Sequence, residues 1–264
     1  MLDSAIRSKY RAVIGLEVHA QMLTASKAYS SDSNQYGEAP NTLISPITLG
    51  HPGTLPVMNQ KTIEYAIKLG LACDCNIAER QYFARKNYFY PDLPKGYQIT
   101  QDKTPICTGG AIMIRNDEGK EKAIRLTRIH MEEDAGKSIH DMDVYDTLVD
   151  LNRAGVPLLE IVTEPDIASS QEAYNYLTEV RKLVRYLEIC DGNMEEGSLR
   201  CDANISVMLA DSSVYGTKVE VKNMNSIRNV QRAIEFEINR QIESIEADRK
   251  STRLNSSHLV ISYA

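Results

Sequence analysis

The chain has 264 residues, and its 30 Lys and Arg against 36 Asp and Glu give a formal net charge of −6 at pH 7. This length and a 42% hydrophobic content fit a globular protein with one large or two small domains. No apolar run approaches the ~20 residues of a membrane span, and residues 1–4 do not resemble a secretory signal. The acidity argues against indiscriminate nucleic-acid binding, and five scattered cysteines argue against a disulfide framework. The expected location is a reducing cytoplasm, without membrane association.

The N-terminal half of the chain is predicted to consist mostly of strands and loops. Residues 12–23 have the pattern of a first strand, and residues 24–58 are rich in Ser, Pro, Gly and Asn, which predicts loops. Apolar residues at helical spacing over 63–71 predict a helix. Residues 85–101 interleave cations with aromatic side chains, and residues 111–133 return to short strands around a turn.

Two amphipathic helices and two strands are predicted in the C-terminal half. The first helix begins at Ser169 or Ser170 as N-cap. Strands follow over 199–207 and 217–222, and a second helix extends to Ile245. Because the strands occur in runs, without regular β-α-β alternation, the sequence predicts an α+β fold with a largely antiparallel sheet and flanking helices. It contains no Walker loop and no Gly-x-Gly-x-x-Gly motif, which disfavours the common phosphate-cradling folds.

Acidic and histidine side chains on short apolar segments are the strongest chemical signal. Alternate residues of a strand share a face, so Glu17 and His19 point the same way. Glu160 has apolar neighbours on both sides, which predicts a strand covered on both faces. A carboxylate in that position needs a cation, a metal or a hydrogen-bond network. Together with the carboxylates of residues 130–134, these residues predict a divalent-metal site suited to Mg²⁺ and phosphates.

Three further segments allow two interpretations each. Arg200 and Asp202 lie on the polar face of a strand that could line a cleft or simply face solvent. The charged residues of 218–222 fit cross-strand ion pairs as well as phosphate binding. Residues 85–97 could hold a nucleotide through charge and stacking, or form a packed loop.

Six motifs occur in one order along the chain: GLEVH (15–19), RKNYFYPD (85–92), HMEEDAGK (130–137), NR (152–153) with PLLEIVTEPD (157–166), MEEGSLRCDAN (194–204) and KNMNS (222–226). The series, over about residues 11–245, resembles the B subunits of bacterial aspartyl/glutamyl-tRNA amidotransferases. The resemblance implies a catalytic domain similar to glutamine synthetase and the guanido kinases. It also implies ATP-dependent phosphorylation of Glu on tRNA-Gln or Asp on tRNA-Asn, followed by displacement of the phosphate by ammonia. The implied partners are an amidase A subunit that supplies the ammonia, a small C subunit and the misacylated tRNA.

The resemblance and the chemistry together imply Mg²⁺ and ATP as ligands and assign roles to particular residues. Metal binding is assigned to Glu17, His19, Glu132, Glu133, Glu160 and Asp202. Nucleotide binding is assigned to Lys86, Tyr88, Arg200 and Lys222. The catalytic set is Glu133, Glu160, Lys86 and Arg200. No zinc is expected, because residues 29–33 and 44–48 lack the cysteine pairs that some family members carry.

Two other classes of protein fit parts of the pattern. A metal-dependent phosphodiesterase or nuclease could use the same carboxylates, and it would cleave nucleic acid without ATP. A non-catalytic assembly subunit could use the acidic strands for structural pairs only, and it would bind no metal specifically.

Residues 248–264 resemble one reading frame of a common sequencing-library adapter and are set apart as a foreign tail. Residues 1–247 are therefore expected to be a catalytic domain truncated at its C-terminus. As an isolated fragment it is expected to be inactive.

Overall fold

The structure, a computed structural model, describes residues 3–247, so the adapter-like segment lies outside the described residues. In this range the helices are α1 (Ser4–Arg7), α2 (Gln60–Ala72), α3 (Ser170–Tyr186) and α4 (Ile227–Glu246). The strands are β1 (Tyr10–Gln21), β2 (Asn76–Ile77), β3 (Ala84–Asn87), β4 (Tyr97–Thr100), β5 (Cys107–Thr108), β6 (Ala111–Arg115), β7 (Glu121–Glu133), β8 (Lys137–Ile139), β9 (Leu148–Asp150), β10 (Pro157–Thr163), β11 (Leu199–Leu209) and β12 (Val219–Met224). No helix within residues 3–247 is both long enough and apolar enough to span a membrane.

A ten-stranded sheet organises the fold. Its main path runs β12-β11-β1-β10-β7-β4-β3, β5 and β6 also pair with β7, and β2 pairs with β5. All of these pairings are antiparallel. Strands β8 and β9 form a separate antiparallel hairpin. The prediction of an α+β fold with a largely antiparallel sheet is confirmed.

One face of the sheet carries the hydrophobic core. Every second residue of β1, from Tyr10 to Ala20, is buried and belongs to the same apolar cluster as the inner sides of α2, α3 and α4. Burial of a Leu or Ile side chain of this kind stabilises the fold by about 1.5–3 kcal/mol. Helix α3 begins where the sequence predicts, with Ser169 as its N-cap, and Ser226 caps α4 in the same way through its side-chain oxygen.

The opposite face of the sheet is polar and positions the candidate site. The intervening residues of β1, such as Glu17 and His19, point to this face, because a strand alternates its side chains between the two faces. Strand β10 lies between β1 and β7 and is buried along almost its whole length. Glu160 therefore lies in a strand covered on both faces, as its apolar neighbours predict.

The boundaries differ from the predicted ones in a few places. The first strand begins at Tyr10 rather than at residue 12, and the last strand is displaced by two residues to Val219–Met224. The region predicted as short strands contains one strand of 13 residues, β7. The basic and aromatic segment forms β3 and β4. Its exposed cations Arg85 and Lys86 lie on β3, the edge strand at this end of the sheet, where charged side chains are tolerated.

Candidate active site

Three adjacent strands bring two histidines to one buried carboxylate. In the register of β1, β10 and β7, Glu160 lies between His19 on one side and His130 on the other. Glu160 Oε2 is 3.2 Å from His19 Nε2 and 3.4 Å from His130 Nε2. The guanidinium of Arg128 lies 3.9 Å from the other carboxylate oxygen. The buried Glu160 thus has the polar partners that its apolar surroundings require.

A candidate metal centre is formed by His19, Glu132 and Glu160. Each offers one ligand atom, and these atoms lie within 4.8 Å of one another. Glu132 joins the group because it lies opposite Leu158, two residues before Glu160 on the same face of the sheet. One imidazole nitrogen and two carboxylate oxygens form a donor set that fits a divalent cation.

Burial and the contacts around Glu160 shift the pKa values of this carboxyl and of both histidines. Burial opposes ionisation of Glu160, but the hydrogen bond with His19 and the charges of both histidines lower its pKa to about 2. Burial works against the charged form of His19 too, and the contact with Glu160 outweighs it, so the pKa of His19 is raised. For His130 burial dominates and lowers the pKa to about 4. Glu160 is therefore an anion at neutral pH, which suits a metal ligand.

A polar cavity of about 390 Å³ surrounds the metal centre. Six carboxylate and four Lys or Arg side chains line it. Lys86 Nζ lies 3.1 Å from Glu132 Oε1, and Lys222 Nζ lies 3.0 Å from Asp202 Oδ2. Both signs of charge in one cavity fit a cation that is bound together with phosphate groups.

The other predicted site residues of this face lie in the same cavity, outside the metal centre. Glu17 Oε1 accepts a hydrogen bond of 2.9 Å from Asn204 Nδ2. Asp202 lies opposite Glu17 in the register of β1 and β11. The ring of Tyr88 stacks on that of Tyr90 with 4.9 Å between the centroids, at the side of the cavity. The structure therefore brings together all the predicted nucleotide ligands and all but one of the predicted metal ligands.

The exception is Glu133, which the structure does not bring into the metal centre. It points to the opposite face of β7, where its carboxylate pairs with Lys95 and accepts a hydrogen bond of 2.9 Å from the backbone N–H of Ile99. There it lines a separate cavity of about 70 Å³ with Lys27. Burial of Lys27 lowers its pKa to about 8. Glu133 has its own cationic partner and lies outside the group of ligand atoms that forms the candidate metal centre.

Asp134, one of the predicted carboxylates of residues 130–134, lies outside the metal centre and organises the cationic side of the cavity. This carboxylate is 3% exposed, and Arg200 and Gln21 donate to its Oδ2 at 2.7 and 2.9 Å. Arg153 lies 3.7 Å from the same oxygen. Burial would raise the pKa of Asp134, but the two arginines outweigh burial and lower it. In the sequence, the position of Asp134 two residues after Glu132 indicates that both side chains lie on the same face of the strand.

Comparison with known sequences defines the class of this site. Residues 12–260 match the family described as GatB/GatE catalytic domain, and the chain belongs to that family. The resemblance inferred from the six ordered motifs is confirmed.

Several similar proteins are named as the B subunit of aspartyl/glutamyl-tRNA(Asn/Gln) amidotransferase. The protein of Chlorobium phaeobacteroides (strain BS1) is 54% identical over 257 residues, which cover 92% of this chain and 54% of that protein. The protein of Synechococcus sp. (strain JA-2-3B'a(2-13)) is 56% identical over 248 residues, covering 92% and 50%. The protein of Chlorobaculum tepidum is 58% identical over 237 residues, covering 90% and 50%. The chain spans about half the length of the curated relatives it matches.

Proposed function

We propose that this chain carries the catalytic centre of an ATP- and Mg²⁺-dependent amidotransferase. It converts Glu-tRNA(Gln) to Gln-tRNA(Gln), Asp-tRNA(Asn) to Asn-tRNA(Asn), or both. The observation that carries the proposal is the convergence of His19, Glu132 and Glu160 in one cavity with Arg200 and Lys222. The names of the relatives support aminoacyl-tRNA as the substrate class.

The proposed reaction has two steps, in which ADP and then phosphate are the leaving groups. A side-chain carboxylate oxygen of the aminoacyl group attacks the γ-phosphorus of ATP, and ADP leaves with the electron pair of the broken P–O bond. Ammonia then attacks the acyl carbon, phosphate leaves, and the nitrogen loses a proton to give the amide. Both steps place negative charge close to a second anion, so the site needs fixed positive charge.

The residues of the polar cavity can supply this positive charge, directly or through a bound cation. His19, Glu132 and Glu160 would hold Mg²⁺, and the bound ion supplies neutralisation of the phosphate charge. Arg200 has a buried Nε without a hydrogen-bond partner among residues 3–247, so this donor is available for a phosphate oxygen. Lys222 contributes a positive charge at the same wall of the cavity.

The proposal includes two partner proteins and a fold relationship. An amidase A subunit releases ammonia from glutamine, and a small C subunit assembles with both proteins. We further propose that the antiparallel sheet is of the glutamine synthetase and guanido kinase type. The absence of Walker and Gly-x-Gly-x-x-Gly motifs supports this proposal, because such sites bind phosphates without a Gly-rich loop.

Trapping the acyl phosphate tests the proposed reaction. The complete B subunit with this catalytic domain, assembled with its amidase and small subunits, should consume ATP in the presence of Glu-tRNA(Gln) or Asp-tRNA(Asn) and Mg²⁺. Without glutamine, added hydroxylamine should capture the activated carboxylate as a hydroxamate on the tRNA. Removal of Mg²⁺ by EDTA should stop both ATP consumption and capture. Cleavage of the tRNA without ATP would contradict the proposal and favour the phosphodiesterase class.

Two neighbouring glutamates provide a matched test of the metal centre. Glu132→Gln should weaken Mn²⁺ binding by about 10- to 100-fold, because the cation loses a charged ligand. Glu133→Gln should leave Mn²⁺ binding unchanged, since this carboxylate lies on the opposite face of β7 and pairs with Lys95. It should instead lower the free energy of unfolding by about 1–3 kcal/mol, because Lys95 then lacks its buried counter-ion. Calorimetric titration and urea unfolding measure the two effects, and equal losses of Mn²⁺ affinity would contradict the assignment.

A further inference from the structure

A second cavity adjoins the polar one on the same face of the sheet. It has a volume of about 250 Å³, and Glu17 lines both cavities. Its walls are more apolar than those of its neighbour, and they come from β1, β10, β11 and the connection between β11 and β12. The apolar part of this lining includes Val13, Val162, Pro165 and Tyr215. Because Glu17 lines both, the two cavities lie side by side at this point of β1.

Gly15 creates the floor of this apolar cavity. It lies between Val13 and Glu17 on the face of β1 that lines the cavity. Its φ is not positive, and a Cβ atom built on it would meet only two atoms of Thr163, both at 3.8 Å. The fold therefore tolerates a side chain at this position without clash or backbone strain. The missing side chain opens space above the sheet, which suits close approach of a flat group.

Two polar atoms of this cavity have no partner. Asn204 and Ser206 line the cavity, and their buried Oδ1 and Oγ atoms make no hydrogen bond within the described part of the chain. Ser206 is 6% exposed, and the amide Nδ2 of Asn204 is occupied by Glu17. Buried polar atoms are rarely left unpaired in proteins. An acceptor and a hydroxyl beside apolar walls are the features that orient a small ligand in a pocket.

We infer that this cavity binds the heterocyclic base of the nucleotide whose phosphates lie in the adjoining polar cavity. The inference rests on the proposed function, because it takes the ligand to be ATP. The base lies over Gly15 between Val13 and Val162, and its exocyclic amino group donates to Asn204 Oδ1. Ser206 Oγ forms a second hydrogen bond at the edge of the ring, and the ribose crosses the boundary near Glu17.

Substitution of Gly15 distinguishes the contribution of the base to ATP binding from that of the phosphates. Gly15→Val places a β-branched side chain, which strands favour, in the space assigned to the base. In the complete B subunit with this catalytic domain, and with Mg²⁺ present, we expect the ATP dissociation constant to rise by about tenfold or more. The dissociation constant of inorganic tripolyphosphate, which has no base, should remain unchanged. Isothermal titration calorimetry measures both ligands, and thermal unfolding checks that each variant folds.

Two milder variants and one control accompany this test. Gly15→Ala should fold like the parent, given the free space around its Cβ, and weaken ATP binding less than Val does. Ser206→Ala should weaken ATP binding about three- to tenfold without loss of stability, because the hydroxyl has no partner within residues 3–247. Arg11→Ala, on the same face of β1 but outside the cavity, should leave ATP binding unchanged.

The outcomes separate failure of this inference from failure of the proposed function. If the parent chain binds ATP and Gly15→Val binds it equally well, the base lies elsewhere, and the proposed function stands. If Gly15→Val weakens tripolyphosphate as much as ATP, the cavity does not hold the base. If the parent binds no ATP at all, both proposals fail. If Gly15→Val impairs only the binding of aminoacyl-tRNA, the cavity receives the terminal adenosine of that tRNA, which also overturns the inference.

Discussion

Glu160→Gln is expected to reduce ATP hydrolysis dependent on misacylated tRNA to background while the protein keeps its fold. The carboxylate is the one member of the metal centre held by His19 and His130 together, and its lowered pKa keeps it ionised. The amide of glutamine has a similar size but no charge, so a divalent cation loses a ligand that it needs. The affinity for Mn²⁺ should fall by about 100-fold or more. The free energy of unfolding should change by less than about 2 kcal/mol.

The matched control for this variant is Glu164→Gln, four residues further along the chain. Glu164 accepts a hydrogen bond from Thr127 at an exposed position and does not line the polar cavity. Turnover and Mn²⁺ affinity should therefore stay at the level of the parent. Steady-state ATP hydrolysis in the assembled enzyme and calorimetric Mn²⁺ titration measure the pair. Near-normal turnover of Glu160→Gln would refute the assignment of the metal centre.

Local sequence patterns predict the position of a site residue well where that position depends on a single strand. The alternation in β1 places Glu17 and His19 on one face, and the apolar neighbours of Glu160 predict its burial. These patterns cannot give the register between strands that are far apart in the chain. The pairing of His19 with Glu160 joins residues 141 positions apart and depends on how β1, β10 and β7 align.

The choice between Glu132 and Glu133 illustrates why the pattern within β7 was insufficient. Ile124 and Leu126 are buried in the first half of the strand, and Ile129 and Met131 are buried in the second half. The register shifts by one residue in between, opposite the Val162–Thr163 step of β10. Such an irregularity exchanges the two faces for every residue that follows. The shift places Glu132 in the metal centre and turns Glu133 away, so alternation counted from the first half of β7 without the shift assigns the two glutamates to the wrong faces.

The stability of the fold should depend strongly on Asp134, which holds Arg153 and Arg200 at the cationic side of the polar cavity. In the parent, Arg200 and Gln21 donate to its buried carboxylate, and the pKa of Asp134 is lowered mainly by Arg200 and Arg153 against the effect of burial. Asp134→Ala leaves both arginines without this counter-ion. Breaking a buried pair costs about 3–5 kcal/mol, but the arginines are partly exposed and gain some solvation. We therefore expect the free energy of unfolding to fall by about 2–3 kcal/mol, measured by urea unfolding at pH 7.

A surface ion pair provides the contrast for this prediction. Glu179 pairs with Lys182 at 2.7 Å on α3, and both side chains are largely exposed. Glu179→Ala should change the free energy of unfolding by about 0.5 kcal/mol or less, because water replaces the lost contact. A loss for Asp134→Ala no larger than this would mean that the arginines are held by their own hydration rather than by the carboxylate. Arg200 would then be free to move toward a bound phosphate group, and the cationic side of the cavity would become ordered only when the nucleotide binds.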